Sequence, residues 1–130
     1  MNDPIGDFII RIKNAGSVRK DAISAPFSKM KWAVAELLSA KGFLGAITKK
    51  SKGNAKFLQA ELLYTADGSP VVSGVNRISK PSRRIYAKAK DIKKFRRGFG
   101  LSVFSTPKGI MADMDAKKDN LGGEFLFNIW

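Results

Sequence analysis

The chain has 130 residues, 44% of them apolar, so we expect one small globular unit or two subdomains. Its 24 basic and 11 acidic residues give a formal net charge of +13, which favours an anionic partner. It contains no cysteine and no histidine, which excludes disulfides and thiolate metal sites and removes the commonest general base. We find no secretory leader and no apolar run near the ~18 residues that span a membrane. This favours a cytoplasmic protein without a membrane partner.

The first half of the chain alternates helix and strand signals. Asp3-Pro4 predicts a helix start, because an N-cap residue precedes an N1 proline, and the apolar stripe that follows ends at Gly16. Further signals predict a strand at 21–26, a helix capped by Ser28 and ended by Lys41-Gly42, a strand at 43–48, a polar turn at 49–54 and a strand at 56–64.

The second half reads mostly as strands. The segment 66–70 is the strongest linker signal, since Asp-Gly and a proline lie close together, and we divide the chain there into subdomains 1–66 and 71–130. Beyond it we expect a segment at 71–79, a turn at 80–82, a strand at 84–88, a turn at 98–100, a strand at 101–105, a helical region at 111–121 and a strand at 124–130. This order predicts an α+β fold: helix-strand-helix-strand-strand, then a mostly β half with a short helix.

A dense basic stretch occupies residues 77–97, which hold ten Lys or Arg and one acid, Asp91. That much like charge favours a polyanion such as RNA, and we expect Arg83 and Arg84 to contact phosphates. Tyr86 lies between Arg84 and Lys88 at the spacing of one strand face. The pattern fits an aromatic that stacks on an unpaired base, and it fits core packing equally well.

A loop of small polar residues follows. Ser105-Thr-Pro-Lys108 has S-x-x-K spacing, but the companion signatures of serine enzymes are missing. We interpret it as a strand end followed by a helical turn that Thr106 caps, with Pro107 at N1, so that hydroxyls and backbone N–H groups face phosphate, ribose or base edges. A purely structural cap is the alternative.

Two other patterns have simpler explanations than a cofactor or metal site. Gly98-x-Gly100 is half of a nucleotide fingerprint with Val103 at the next position, so we expect a turn. Asp113, Asp115 and Asp119 could suggest a cation site, but we expect a solvated helix face whose acids complement the helix dipole. We predict no catalytic residue, no metal and no cofactor.

The chain resembles the bacterial form of the small-subunit ribosomal protein eight family over essentially its whole length. The resemblance rests on elements in fixed order, namely 3–15, 36–43, Ile78-Ser-Lys-Pro-Ser-Arg-Arg-Ile-Tyr86, Gly98-x-Gly100, Ser105-Thr106, Lys108-Gly109, Met111 and Gly122-Gly-Glu124. It implies two subdomains and a structural protein that binds the central domain of small-subunit ribosomal RNA and supports subunit assembly. It also implies proteins five and twelve as neighbours and, in many members, repression of the protein's own operon through a messenger-RNA mimic.

The resemblance also implies RNA contacts at Tyr86, Ser105, Thr106, Lys108, Gly109 and Glu124, with weaker assignments to Lys31 and Lys56 in the first subdomain; we add Lys80, Arg83 and Arg84 from the basic stretch. A carboxylate such as Glu124 is useful in a basic site only if it accepts a hydrogen bond from a base amino group or orients a neighbouring side chain. Two positions depart from the family. Pro107 replaces a serine, and Ala112 replaces a threonine that would cap the next helix.

Two other functions fit the sequence less well, those of a DNA-binding architectural protein and of a small enzyme. A DNA-binding architectural protein would need a basic helix that enters a groove, whereas here the charge lies on the strand-turn region. A small enzyme acting on an anionic substrate is disfavoured because both His and Cys are absent.

Overall fold

A computed structural model describes residues 3–95 and 100–130 of the chain. Contacts within the chain group it into two compact units: residues 7–73 form one, and residues 74–130 form the other together with the first six residues. The expected division into 1–66 and 71–130 stays a prediction. Among the helices of the described ranges, none is long and apolar enough to cross a membrane.

The unit of residues 7–73 packs two helices on a three-stranded sheet. Its elements are α1 (Pro4–Ser17, which begins in the other unit), β1 (Ala22–Pro26), α2 (Lys29–Ala40), β2 (Leu44–Lys52) and β3 (Ala55–Leu62), and the antiparallel strand order is β1-β3-β2. One sheet face is buried, as paired residues show: Ile23 lies opposite Ala60, and Ala25 opposite Leu58. Val34 and Leu38 of α2 are fully buried as well, so a half-buried sheet and an amphipathic helix form this core.

The helix boundaries of this unit follow their caps. The Ser28 side chain accepts a hydrogen bond from the Lys31 backbone N–H at 3.1 Å. At the other end Gly42 has φ of 86°, a conformation that favours glycine. Both predicted caps of α2 are therefore confirmed.

The predicted polar turn at 49–54 is wrong for its first four residues. Strand β2 continues to Lys52, with Lys49 opposite Leu58 and Lys52 opposite Ala55, and only Gly53-Asn54 makes the turn. Lysines are poor strand signals in sequence, but an exposed strand accepts them because their side chains reach solvent while the backbone completes the ladder.

The unit of residues 74–130 is a five-stranded sheet with one short helix. Its elements are β4 (Val75–Arg77), β5 (Tyr86–Ala87), a 3-10 helix (Ala89–Asp91), β6 (Leu101–Thr106), β7 (Gly109–Ala112), α3 (Asp113–Lys118) and β8 (Gly123–Ile129). The antiparallel order is β4-β8-β6-β7, and β5 also pairs with β8. The α+β class and the mostly β second half are thus confirmed.

One face of this sheet carries a cluster around Phe104, and the paired residues Val103 and Phe127 are fully buried as well. Phe104 of β6 stacks on Phe125 of β8 with ring centroids 4.6 Å apart. Ile92 and Ala116, from the segment after β5 and from α3, are buried in the same cluster. The residues that directly precede Phe125 and follow Phe104 therefore point to the other side of the sheet.

Two predicted elements are shorter than expected. The helical region 111–121 is wrong at its start, because Met111 and Ala112 pair with β6 as strand β7, and it is shortened at its end, so that α3 spans only six residues. The strand predicted at 84–88 is reduced to Tyr86–Ala87. The predicted turn at 98–100 lies mostly outside the described residues.

Candidate nucleic-acid interface

Strand register places three of the expected contact residues in one row. Tyr86 of β5 lies opposite Glu124 of β8, and Glu124 lies opposite Ser105 of β6. Directly paired residues of antiparallel strands point to the same sheet face, and the next residues along β8 and β6, Phe125 and Phe104, belong to the core. Tyr86, Glu124 and Ser105, here called the recognition row, therefore lie on the sheet face away from the Phe104–Phe125 stack.

Tyr86 is the most exposed member of the row. Its relative exposure is 68%, the largest among the exposed large apolar and aromatic side chains of the described ranges. An aromatic side chain with this exposure does not contribute to the core. Of the two roles that the sequence allowed for Tyr86, core packing is wrong.

Glu124 is tied to its neighbours on the protein. Its side chain is only 14% exposed, and its carboxylate accepts a hydrogen bond from the Ser79 hydroxyl. Arg84 Nη1 lies 3.2 and 3.3 Å from the two carboxylate oxygens. The carboxylate thus orients a neighbouring cation, one of the two functions that the sequence suggested for it.

Ser79 is the residue that sequence reasoning missed. It is fully buried, and besides donating to Glu124 its hydroxyl oxygen accepts the Ile85 N–H at 3.2 Å. Its position in the segment 78–86, where the resemblance is most specific, was the available signal. Nothing in a single serine of a strand-turn segment predicts a buried side chain bonded on two sides.

The basic residues Lys80 and Arg83 lie on a tight turn beside the row. Their backbones exchange two hydrogen bonds, each 3.0 Å long, around Pro81-Ser82. Both Lys80 and Arg83 are exposed. Their cations are consequently exposed to solvent, and the expected phosphate contacts stay a prediction.

Thr106 occupies a different structure from the one expected. Pro107-Lys108 is the turn of the β6–β7 hairpin, so the predicted helical turn is wrong. The Thr106 hydroxyl donates to the Gly109 carbonyl at 2.8 Å and accepts the Lys108 N–H at 3.2 Å. Thr106 is 8% exposed, so this hydroxyl shapes the hairpin turn, while Lys108 and Gly109 are exposed at its tip.

The two departures from the family lie in or next to this hairpin. Pro107 is exposed in the turn, where a fixed φ is accepted and no ladder bond is lost. Ala112 is the N-cap of α3 and makes no capping bond with its side chain. The expected loss of a capping hydroxyl at 112 is confirmed.

Lys31 and Lys56 belong to the unit of residues 7–73, whereas the recognition row belongs to the unit of residues 74–130. Lys31 is buried; this burial, followed by the charge of Arg11, lowers its pKa from 10.5, and Asp7 opposes the shift. Lys56 is exposed on β3. Of these two lysines, only Lys56 has an exposed side chain, and both RNA contacts stay predictions.

Asp113 is not part of a solvated helix face. It is 3% exposed, and its Oδ2 accepts the Phe95 N–H at 2.9 Å. The expectation of a solvated carboxylate is wrong here because Asp113 holds the segment after the 3-10 helix against the start of α3. It therefore serves the fold of this unit.

Comparison with known proteins identifies the family. The family described as Ribosomal protein S8 matches residues 3–130 of the chain. The chain belongs to this family. Relatives named small ribosomal subunit protein uS8 are 43% identical in Roseiflexus castenholzii, 45% in Rhodopseudomonas palustris and 41% in Brucella abortus; alignments cover 99–100% of this chain and 98% of each relative.

Membership confirms the resemblance and decides between the functions compared above. A member of the ribosomal protein S8 family is a structural protein of the cytoplasmic ribosome and not an enzyme. The S-x-x-K spacing of 105–108 is accordingly a hairpin turn without catalytic meaning. The family implies ribosomal RNA and ribosomal proteins as partners.

Proposed function

We propose that this protein binds the central domain of small-subunit ribosomal RNA through the recognition row and the two turns that flank it. The observation that supports this best is the row itself. An exposed tyrosine, an oriented carboxylate and a serine hydroxyl lie side by side across three strands, on the face away from the Phe104–Phe125 stack. Sheets with exposed aromatics bind unpaired bases in this manner.

The row supplies the groups that recognise unpaired bases, and the turns supply the cations that attract RNA of any sequence. Tyr86 offers a ring on which a base stacks, worth about 1–3 kcal/mol, while Ser105 offers a hydroxyl to a base edge or ribose. Lys80, Arg83 and Lys108 are exposed cations beside the row, and cations contact phosphates without reading sequence. An irregular RNA helix with unpaired bases satisfies both sets of groups, whereas a regular duplex satisfies only the cations.

Finer roles follow from the same surface and from family membership. By holding an irregular RNA helix in one shape, the protein supports assembly of the small subunit. A messenger-RNA segment of the same shape would occupy the same row, which is the basis for repression of its own operon. Ribosomal proteins five and twelve are the neighbours that the family resemblance implies.

The test compares two RNAs and two variants. Tyr86→Ala should weaken binding to an irregular ribosomal RNA helix by about one to two decades, with little change for a regular duplex. Val18→Ala removes another strongly exposed side chain, 67% exposed in the 7–73 unit, and should change neither affinity. Equal losses for both RNAs, or no loss in a folded Tyr86→Ala variant, would remove the row as the recognition site.

A further inference from the structure

Ser79 connects the parts of the recognition row although it cannot touch RNA itself. It has no exposed surface, so a direct contact is excluded. A serine hydroxyl offers one donor and two acceptor sites. Here the donor is used on Glu124 and one acceptor site on Ile85 N–H, which holds the hydroxyl from both sides.

The backbone around Ser79 is tied to the same strands. The Ser79 N–H and the Ile78 N–H both donate to the Leu126 carbonyl of β8, at 3.3 and 3.1 Å. The Ile85 N–H donates to the Ser79 side chain, and the Ile85 carbonyl accepts the Phe125 N–H of β8 at 2.8 Å. Ile85 directly precedes Tyr86. The Ser79 side chain therefore joins the two ends of the segment 79–85 to each other and to Glu124 of β8.

Glu124 needs such a partner. A carboxylate that is 14% exposed is costly unless its oxygens are hydrogen-bonded. Arg84 is a half-exposed partner, since its side chain is 56% exposed. The buried hydroxyl of Ser79 supplies the fixed bond, and Arg84 then takes its orientation from the carboxylate.

We propose that Ser79 is a positioning residue for RNA recognition, which fixes the Glu124–Arg84 pair and the start of β5 so that Tyr86 and Glu124 present one rigid surface. This inference rests on the proposed function of the recognition row. It predicts that Ser79 contributes to the preference for irregular RNA and not to general attraction.

The experiment uses a matched buried serine. Ser79→Ala should reduce the preference for the irregular ribosomal helix over a regular duplex by about tenfold, leave the salt dependence unchanged, and speed hydrogen exchange at the Ile85 amide. Ser102→Ala removes a second buried hydroxyl of the same sheet, which donates to Asn128 Oδ1 at 2.6 Å, and should keep the preference. Affinities are measured well below the unfolding midpoint of each variant.

Two further variants separate positioning from simple destabilisation. Ser79→Cys keeps a weak donor and a weak acceptor and should restore part of the preference, and it also serves if the alanine variant does not fold. In a Glu124→Ala background, Ser79→Ala should add little further loss, because the acceptor of the Ser79 hydroxyl is already gone.

The outcomes distinguish this inference from the proposed function. If Tyr86→Ala loses the preference while Ser79→Ala keeps it, or if Ser102→Ala loses as much as Ser79→Ala, Ser79 has only a structural role. If Tyr86→Ala itself has no effect, the recognition row fails and the role of Ser79 fails with it.

Discussion

Arg83 and Arg84 are adjacent in sequence but should act differently on RNA. Arg84 is held on the Glu124 carboxylate. Arg83 is exposed on the 80–83 turn, and no carboxylate within residues 3–95 and 100–130 forms an ion pair with it. We therefore expect Arg83 to contact a phosphate directly and Arg84 to remain with the recognition row.

The size of the contrast follows from counterion release. Each neutralised phosphate contributes about 0.7–0.9 to the slope of log affinity against log salt. Arg83→Ala should flatten the slope by about that amount, so that its affinity defect shrinks by about threefold between about 50 and 200 mM salt. Arg84→Ala should leave the slope nearly unchanged and should lower the preference for the irregular helix, because the row loses the cation that Glu124 holds in place.

The assay is a salt titration of RNA binding for both variants on both RNAs. Lys118→Ala is the control for charge, since Lys118 is exposed on α3, the helix whose Ala116 packs in the Phe104 cluster. An equal change of slope for Arg83→Ala and Arg84→Ala would refute the reasoning, since Arg84 would then leave Glu124 to bind a phosphate.

Three further predictions concern single side chains. Ala112→Ser should supply the missing cap of α3 and raise the free energy of unfolding by about 1 kcal/mol, which raises the unfolding midpoint by about 3–5 °C. Ala112→Thr should gain less, because position 112 is only 2% exposed and has little room for a larger side chain. A lower midpoint for the serine variant would contradict this. Thr106→Ala should lower affinity for irregular RNA by loosening the hairpin turn, and Thr106→Ser should not; equal losses would instead indicate a contact by the methyl group. Since Lys31 has a lowered pKa, its charge destabilises the folded state below that pKa and the effect disappears as pH rises towards 10.5. Lys31→Met should therefore raise the unfolding midpoint at pH 7 and less so near pH 10, and a gain independent of pH would contradict the electrostatic cause.

Local signals were sufficient where one residue decides the backbone. Ser28 and Gly42 define the ends of α2 because a cap depends on the residue and its immediate neighbours. The apolar stripes of the two long helices were readable for the same reason. Local signals failed at Lys49–Lys52 and at Met111–Ala112, where pairing with a strand distant in sequence overrides the preference of the segment itself.

The candidate site divides in the same manner. The sequence by itself determined that the partner is anionic, that the cations lie in the strand-turn region, and which family motif contains Tyr86, Ser105 and Glu124. Only the tertiary structure decided that these three form one row, that Tyr86 is exposed, and that buried Ser79 binds Glu124. The reason is that charge and motif are properties of the chain, whereas a sheet face exists only once strand register brings together residues as far apart as Tyr86 and Glu124.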